Sequence, residues 1–178
     1  MKKCKICKAS FTQWSSTQTV CGLDCAKKLA EITREKKEAK EAKAERSKTR
    51  QRKEALKTLR ELADDAQVYF NKFIRLRDKG QPCISCQRHD LLKVNAGHFR
   101  TRGAAPHLRF NENNCHLQCE HCNSYLSGNI INYRPNLIKK IGLEAVEALE
   151  NDNSTHKCTR EELIEIKKKY KNKLKNIA

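Results

Sequence analysis

Apolar positions are sparse along the 178 residues, and their spacing divides the chain. From Leu59 to Arg77, the residues Leu62, Ala66, Tyr69, Phe70, Phe73, Ile74 and Arg77 recur at the spacing of one helical face. That stripe reads as core, packed on the region after it, rather than as a platform for stacking nucleotides. Gly80-Gln81-Pro82 ends the helix. A second stripe follows Pro135, a residue that a first helical turn tolerates; it comprises Leu137, Ile138, Ile141, Ala145, Val146 and Leu149. A last helix starts at Thr159, with Glu162 completing a capping box, and presents Leu163, Ile166, Tyr170 and Leu174 opposite a row of lysines. Residues 27–60 carry no such stripe. They are rich in Lys, Glu, Ala and Arg and almost free of Gly and Pro, so propensity predicts a helix without a heptad seam. Leu91–Val94 is a short strand candidate that leads into Asn95-Ala96-Gly97-His98-Phe99.

Composition sharpens this picture. With 38% apolar and 33% charged residues the chain cannot bury a large core, so it must be stapled or partly extended. Lys and Arg total 38 against 21 Asp and Glu, a net charge of +17 whose natural partner is a phosphate backbone. Residues 27–60 hold 14 basic and 6 acidic residues. They read as a solvated helical linker or as a basic rod lying along DNA, and the two are compatible. No apolar run approaches the roughly 20 residues needed to cross a bilayer, and no signal peptide opens the chain, so a membrane partner is not expected.

Ten cysteines without a secretory signal argue for metal rather than disulfides. Eight fall in close pairs: Cys4/Cys7, Cys21/Cys25, Cys83/Cys86 and Cys119/Cys122. Paired thiolates at this spacing can face one tetrahedral zinc from a tight turn, so two structural Zn2+ sites are expected. Phe11 and Trp14 lie between the first two pairs and could cap that small core. Cys158 has no close partner and reads as a packed thiol.

The second quartet encloses the chemistry. Between its knuckles lie His98, then Arg100, Arg102 and Arg109, then Asn113-Asn114-Cys115-His116-Leu117-Gln118; Asn123 follows Cys122 and should open a helix. Hydrolysis of a phosphodiester needs a base for water, a metal on the developing charge and cations on the strand. A neutral His suits the first role, and the three arginines could hold phosphates on either side. His116 and His121 read as supporting or surface groups, because four cysteines already close the zinc site. His107 and Asn111 lie in the loop, where they could contact substrate or have no role that the sequence identifies.

Strand, loop, strand and helix, with a His ending the first strand and an Asn after the second knuckle, resembles the zinc-bound branch of the HNH (ββα-metal) nucleases. The resemblance implies His98 as general base, Asn114 as the middle Asn of the motif, and Asn123 as ligand to a catalytic Mg2+ or Mn2+. Many members carry Asp immediately before the base, whereas here that residue is Gly97. The strings Pro82-Cys83-Ile84-Ser85-Cys86, Ala96-Gly97-His98, Ala104-Ala105-Pro106, Leu108-Arg109-Phe110-Asn111-Glu112 and Ser127-Gly128-Asn129 are similar to the NinG/Rap recombination endonucleases of lambdoid phages, and the likeness spans nearly the whole chain. The Lys that often follows the second knuckle in that family is Leu126 here.

The expected architecture is therefore α+β in four parts: an N-terminal Cys4 zinc finger (1–26), a basic helical linker (27–60), an HNH-type nuclease domain with a Cys4 zinc knot (61–134), and supporting C-terminal helices (135–178). The resemblance implies a structure-specific endonuclease nicking branched DNA in phage recombination, within the host cytoplasm. Cutting both strands of a four-way junction needs two active sites, which predicts a homodimer. The rival readings are a nonenzymatic zinc-containing DNA-binding protein, acting as mediator or regulator, and an RNA-binding zinc protein.

Overall fold

The computed structural model describes residues 1–177 and shows a mixed α+β chain. It divides into two compact units, Met1–Leu56 and Lys57–Ala178.

In the first unit a two-stranded antiparallel ribbon pairs β1 (Lys2–Lys3) with β2 (Ser10–Phe11), and α1 (Leu23–Ala55) follows. The helix runs 33 residues, about 50 Å, without one buried side chain. Its charges meet in exposed pairs such as Arg34–Glu38 and Lys37–Glu41, each of which adds little to stability. The expected aromatic cap on the finger is not formed. Phe11 is half-buried and Trp14 is 86% exposed, so Cys4 is the buried centre instead. A core this small closes on its thiols, and the ribbon is too short to fold an indole over them.

The second unit begins with α2 (Leu59–Arg77), whose bounds match the amphipathic stripe. Thr58 and Glu61 close a capping box at its start. Leu62, Ala66, Phe70, Phe73 and Ile74 are buried, and Phe70 meets Tyr170 of α5 (Arg160–Ile177) edge-on at 5.0 Å. At the other end Arg77 grips Asp78 with two bonds of 2.8 and 2.7 Å and donates to the carbonyls of Glu112 and Cys115. Asp78, 3% exposed, also accepts from the Leu117 amide. A buried carboxylate is tolerated only when so fully paired. The network pins α2 to the hairpin of β3 (Val94–His98) and β4 (Cys115–Cys119).

That hairpin is antiparallel, with His98 opposite Cys115, Gly97 opposite His116 and Val94 opposite Cys119. The strand therefore starts where the Leu91–Val94 candidate ends, and Leu92 is fully exposed. Two more departures concern the C-terminal part. The single helix expected after Pro135 is two, α3 (Ile130–Ile141) and α4 (Leu143–Asn151), because Gly142 takes a φ of 89° between them. Pro135 lies inside α3, exposed, since the helix starts five residues before it. Tyr133, Leu137, Val146 and Leu149 pack with Ile84, Phe99 and Leu108 to form a second core against the hairpin loop. No helix among the described residues is long and apolar enough to cross a membrane.

Candidate active site

Each cysteine quartet draws its thiols within 4.8 Å of one another. Sulfur separations of 3.5 Å (Cys7–Cys21), 3.6 Å (Cys21–Cys25) and 3.8 Å (Cys86–Cys119) match the edge of a tetrahedron with Zn–S bonds of about 2.3 Å, which is about 3.8 Å. In both knuckles the residue after the second cysteine is left-handed (Lys8, φ 63°; Gln87, φ 58°). Its amide returns to the first cysteine's carbonyl, at 3.1 and 2.9 Å. The amides of Cys119 and Cys122 donate to the sulfurs of Cys83 and Cys119, at 3.3 and 3.4 Å, and the Asn129 side chain donates to Cys122 at 3.4 Å. Such donors stabilise thiolates, so the four-sulfur sets fit structural zinc. A third group, His156, Cys158 and Glu162, also converges within 4.8 Å. Its carboxylate already caps α5 through the Thr159 amide at 2.7 Å, and Cys158 packs on the Leu62, Ala63 and Leu163 cluster as a packed thiol should.

His98 ends β3, half-buried, with its ring stacked on Phe70 at 6.1 Å and 28°. Its Nε2 lies 2.9 Å from the carbonyl of Arg109. A carbonyl can only accept, so Nε2 carries the proton and Nδ1 keeps the lone pair. Nδ1 has one long neighbour, the buried Cys115 thiol at 3.8 Å, whose own pKa is pushed up by burial. Burial lowers the His98 pKa below its ordinary value, and the charges of Arg102 and Arg109 push the same way against the Arg109 carbonyl. The ring is neutral at pH 7. Asn114, wholly buried, holds the loop that carries this carbonyl. It accepts from the Arg100 amide at 2.8 Å and donates to the carbonyls of Arg100 and Leu108 at 3.0 and 3.2 Å.

A cleft of about 600 Å³ opens along this hairpin. It brings His98, Arg102 and Asn123 together on its walls. Asn114 is not on the wall but behind it. Asn123 sits on a π-helical turn, His121–Tyr125, not on the α-helix expected there, which starts only at Ile130. Of the three arginines expected to hold DNA, only Arg102 is exposed at the cleft. Arg100 donates to the carbonyls of Leu149 and Asp152 at the end of α4, at 2.8 and 2.5 Å. Arg109 is tied to Gln67 at 2.8 Å and to Asp64 at 2.7 Å. His116 is buried 3.3 Å from the Tyr133 hydroxyl and its pKa falls to about 3, chiefly through burial, so it is a neutral packing group. His107 lies against the Asp152 carbonyl at 3.1 Å. The Asn111 side chain caps the following turn through the Asn113 amide at 2.8 Å.

The family model for the bacteriophage lambda NinG protein matches residues 1–178. The chain belongs to the NinG family. It is 47% identical to protein ninG of Escherichia phage 933W, 45% to that of Escherichia phage lambda and 44% to that of Salmonella phage P22; each match covers 99% of this chain and 93% of the relative. No solved structure matches.

This NinG chain also lines its cleft with residues that sequence reasoning did not single out: Gln67, Asn71 and Arg75 of α2, and Asn95 of β3. The α2 trio stands four residues apart beside the apolar stripe, a polar ridge that helical periodicity could have flagged. Of the four carboxamides on the wall, Gln67 and Asn71 bond each other at 2.7 Å. Asn95 and Asn123 have no side-chain partner among the described residues. The wall carries two arginines, Arg75 and Arg102, and no carboxylate. It suits an anion first.

Proposed function

We propose that this NinG chain is a metal-dependent DNA endonuclease of the HNH type, acting on branched DNA during phage recombination. The single observation that supports it best is the state of His98: neutral, its Nε2–H held by the Arg109 carbonyl, its Nδ1 left as the ring's only acceptor, on a wall with two arginines. In this reading Nδ1 takes a proton from water, and the water oxygen attacks phosphorus as the bond to the 3′ oxygen breaks, that oxygen leaving with a proton from solvent water. The products carry 5′-phosphate and 3′-hydroxyl ends. Arg102 and Arg75 hold the phosphates, and Asn114 keeps the loop, and so the His98 tautomer, in place.

The donor set fits a hard cation such as Mg2+ or Mn2+ through neutral oxygens. Asn123 and Asn95 would hold it, together with substrate phosphate and water. When bound, it supplies charge neutralisation at the reacting phosphate. A carboxylate at position 97 is not available, because a Cβ there would meet the Gln118 Oε1 at 2.0 Å. With no carboxylate on the wall, cation affinity depends on the phosphate entering with it.

The test is nicking of a labelled four-way junction and a matched linear duplex, with Mg2+ and without it, by wild type and His98→Ala. Mg2+-dependent cutting of the junction, lost in the variant while binding remains, is the expected result. Binding of both substrates with no cut under any divalent metal would leave a nonenzymatic DNA-binding protein. Resolution of a junction takes two nicks, so light scattering on the same samples should show a homodimer, and a monomer on junction DNA would count against that part.

A further inference from the structure

The π-helical turn that turns Asn123 into the cleft carries Tyr125 out of its far end, beyond the second knuckle. Tyr125 is 74% exposed and stacks on His121, ring centroids 6.0 Å apart and 29° between planes. Beside it a depression of about 820 Å³ is walled by Arg88, Leu91, Leu92 and Lys93. Leu92 is fully exposed and Leu126 46% exposed, so an aromatic and aliphatic patch stands in water on a chain of net charge +17. Scattered apolar residues need no explanation, but a contiguous patch with a flat aromatic pair does. π-helical turns recur at functional sites, where an inserted residue re-aims its neighbours.

The charges say what fits. Arg88 and Lys93 are balanced by Asp90 and Glu120 on the same walls, with Lys93 and Glu120 paired at 3.5 Å. The charged side chains on these walls cancel and the thiolates of the cysteine quartet behind Cys119 add negative charge, so the depression is wrong for a phosphate and right for an uncharged planar group. The adjoining cleft, which Asn123 and Ser124 line, carries Arg75 and Arg102 without a carboxylate and takes the phosphates. Backbone on one side of a turn and base on the other is the geometry of an unstacked nucleotide.

We propose that Tyr125, supported by His121, is a stacking site for an unpaired DNA base adjoining the phosphate held in the cleft. This rests on the nucleic-acid reading above and gives it a substrate class: DNA with at least one base out of its stack, rather than continuous duplex. A base swung onto Tyr125 draws its own backbone across Asn123 and His98, so the site selects disrupted duplex by stacking and not by sequence. Nothing covalent is involved.

The experiment uses the full chain with Ca2+ in place of Mg2+, to prevent cutting. The probes are a duplex containing one unpaired 2-aminopurine and the same duplex fully paired. Tyr125→Ala should weaken binding of the first by roughly 5- to 100-fold while leaving the second unchanged, and Tyr125→Phe should bind both like wild type. Stacking should quench 2-aminopurine fluorescence in wild type and Tyr125→Phe, and not in Tyr125→Ala. Because Tyr125 is largely exposed, its loss does not threaten the fold. Equal weakening on both probes, or none, would overturn the proposal. So would a change of oligomeric state in Tyr125→Ala with quenching intact, which would make the patch a contact between copies. The two readings fail separately: His98→Ala should still quench, and a wild type that quenches but never nicks leaves the stacking site standing without the nuclease.

Discussion

Gly97→Ala tests how the hairpin is built beside His98. A Cβ at position 97 would lie 2.0 Å from Gln118 Oε1, 2.9 Å from its Cδ and 3.0 Å from its Cβ, about 1.4 Å short of ordinary contact at the first. Gln118 cannot swing aside without loss. It is fully buried, and its amide donates to Ser85 Oγ at 2.7 Å and to the Gly128 carbonyl at 2.6 Å. The strand cannot retreat either, since the Gly97 carbonyl accepts from the Tyr133 hydroxyl at 3.0 Å. Forcing the methyl in should cost about 1–3 kcal/mol of overpacking and about 1 kcal/mol for each weakened bond, roughly 2–4 kcal/mol in all. Gln118→Ala alone removes the same bonds, together with an acceptor, Oε1, that has no partner. In the double variant the methyl occupies space the glutamine vacates, so the two losses should fall short of additivity by about 1–3 kcal/mol. Urea unfolding at fixed excess zinc measures this. All four tyrosines lie in the second unit and the sole tryptophan in the first, so the near-ultraviolet tyrosine signal reports this unit alone. A Gly97→Ala loss below about 0.5 kcal/mol, or additivity within that margin, would refute the reasoning.

Two further expectations follow from the site. Burial lowers the His98 pKa below its ordinary 6.5, so the neutral base persists into mildly acid solution and is lost only as pH falls through that lowered value. Single-turnover nicking should be level from pH 8 down to about 6.5 and decline below it; a decline centred at or above pH 7 would contradict the geometry. Arg100→Ala and Arg102→Ala should part company. The first removes charged bonds to the end of α4 and should lose about 1.5–3 kcal/mol of stability with DNA affinity nearly kept. The second should leave stability within about 0.5 kcal/mol and flatten the salt dependence of DNA binding by about one phosphate contact; identical behaviour of the pair would refute the assignment.

What the chain shows in advance follows from how local each signal is. The bounds of α2 and the cap of α5 are legible because periodicity and a capping box act within one helix. The strand is displaced from its candidate because Leu91 and Leu92 lie outside the ladder, the Leu91 amide turning back to the His89 carbonyl. The ladder stops where the Glu120 amide meets the Lys93 carbonyl, a fact about β4. Gly142 hides in the same way. The apolar pattern runs through it unbroken, and only its φ of 89° separates two helices. The three loop arginines look alike in sequence, yet tertiary contacts give Arg100 to α4 and Arg109 to α2, leaving one for the cleft.

The π turn was the least legible element, and the reason bears on the whole site. Its five residues hold no helix-forming pattern. Its shape comes from Cys119 and Cys122, whose sulfurs take the amide of Cys122 and the side chain of Asn129. Cys119 also ends β4, the partner strand of His98. One four-sulfur cluster therefore sets the last rung of the hairpin and the turn that presents Asn123, while among the described residues neither His98 nor Asn123 bonds a sulfur of that cluster through its side chain. In the proposed reading, zinc in this cluster would fix the spacing between His98 and Asn123 without taking part in the chemistry, because a closed tetrahedron has no open position. The same dependence explains why spacing alone picks out the two cysteine clusters but not the local backbone: cysteine spacing names the atoms a metal needs, but the path between them is settled by the bonds they accept.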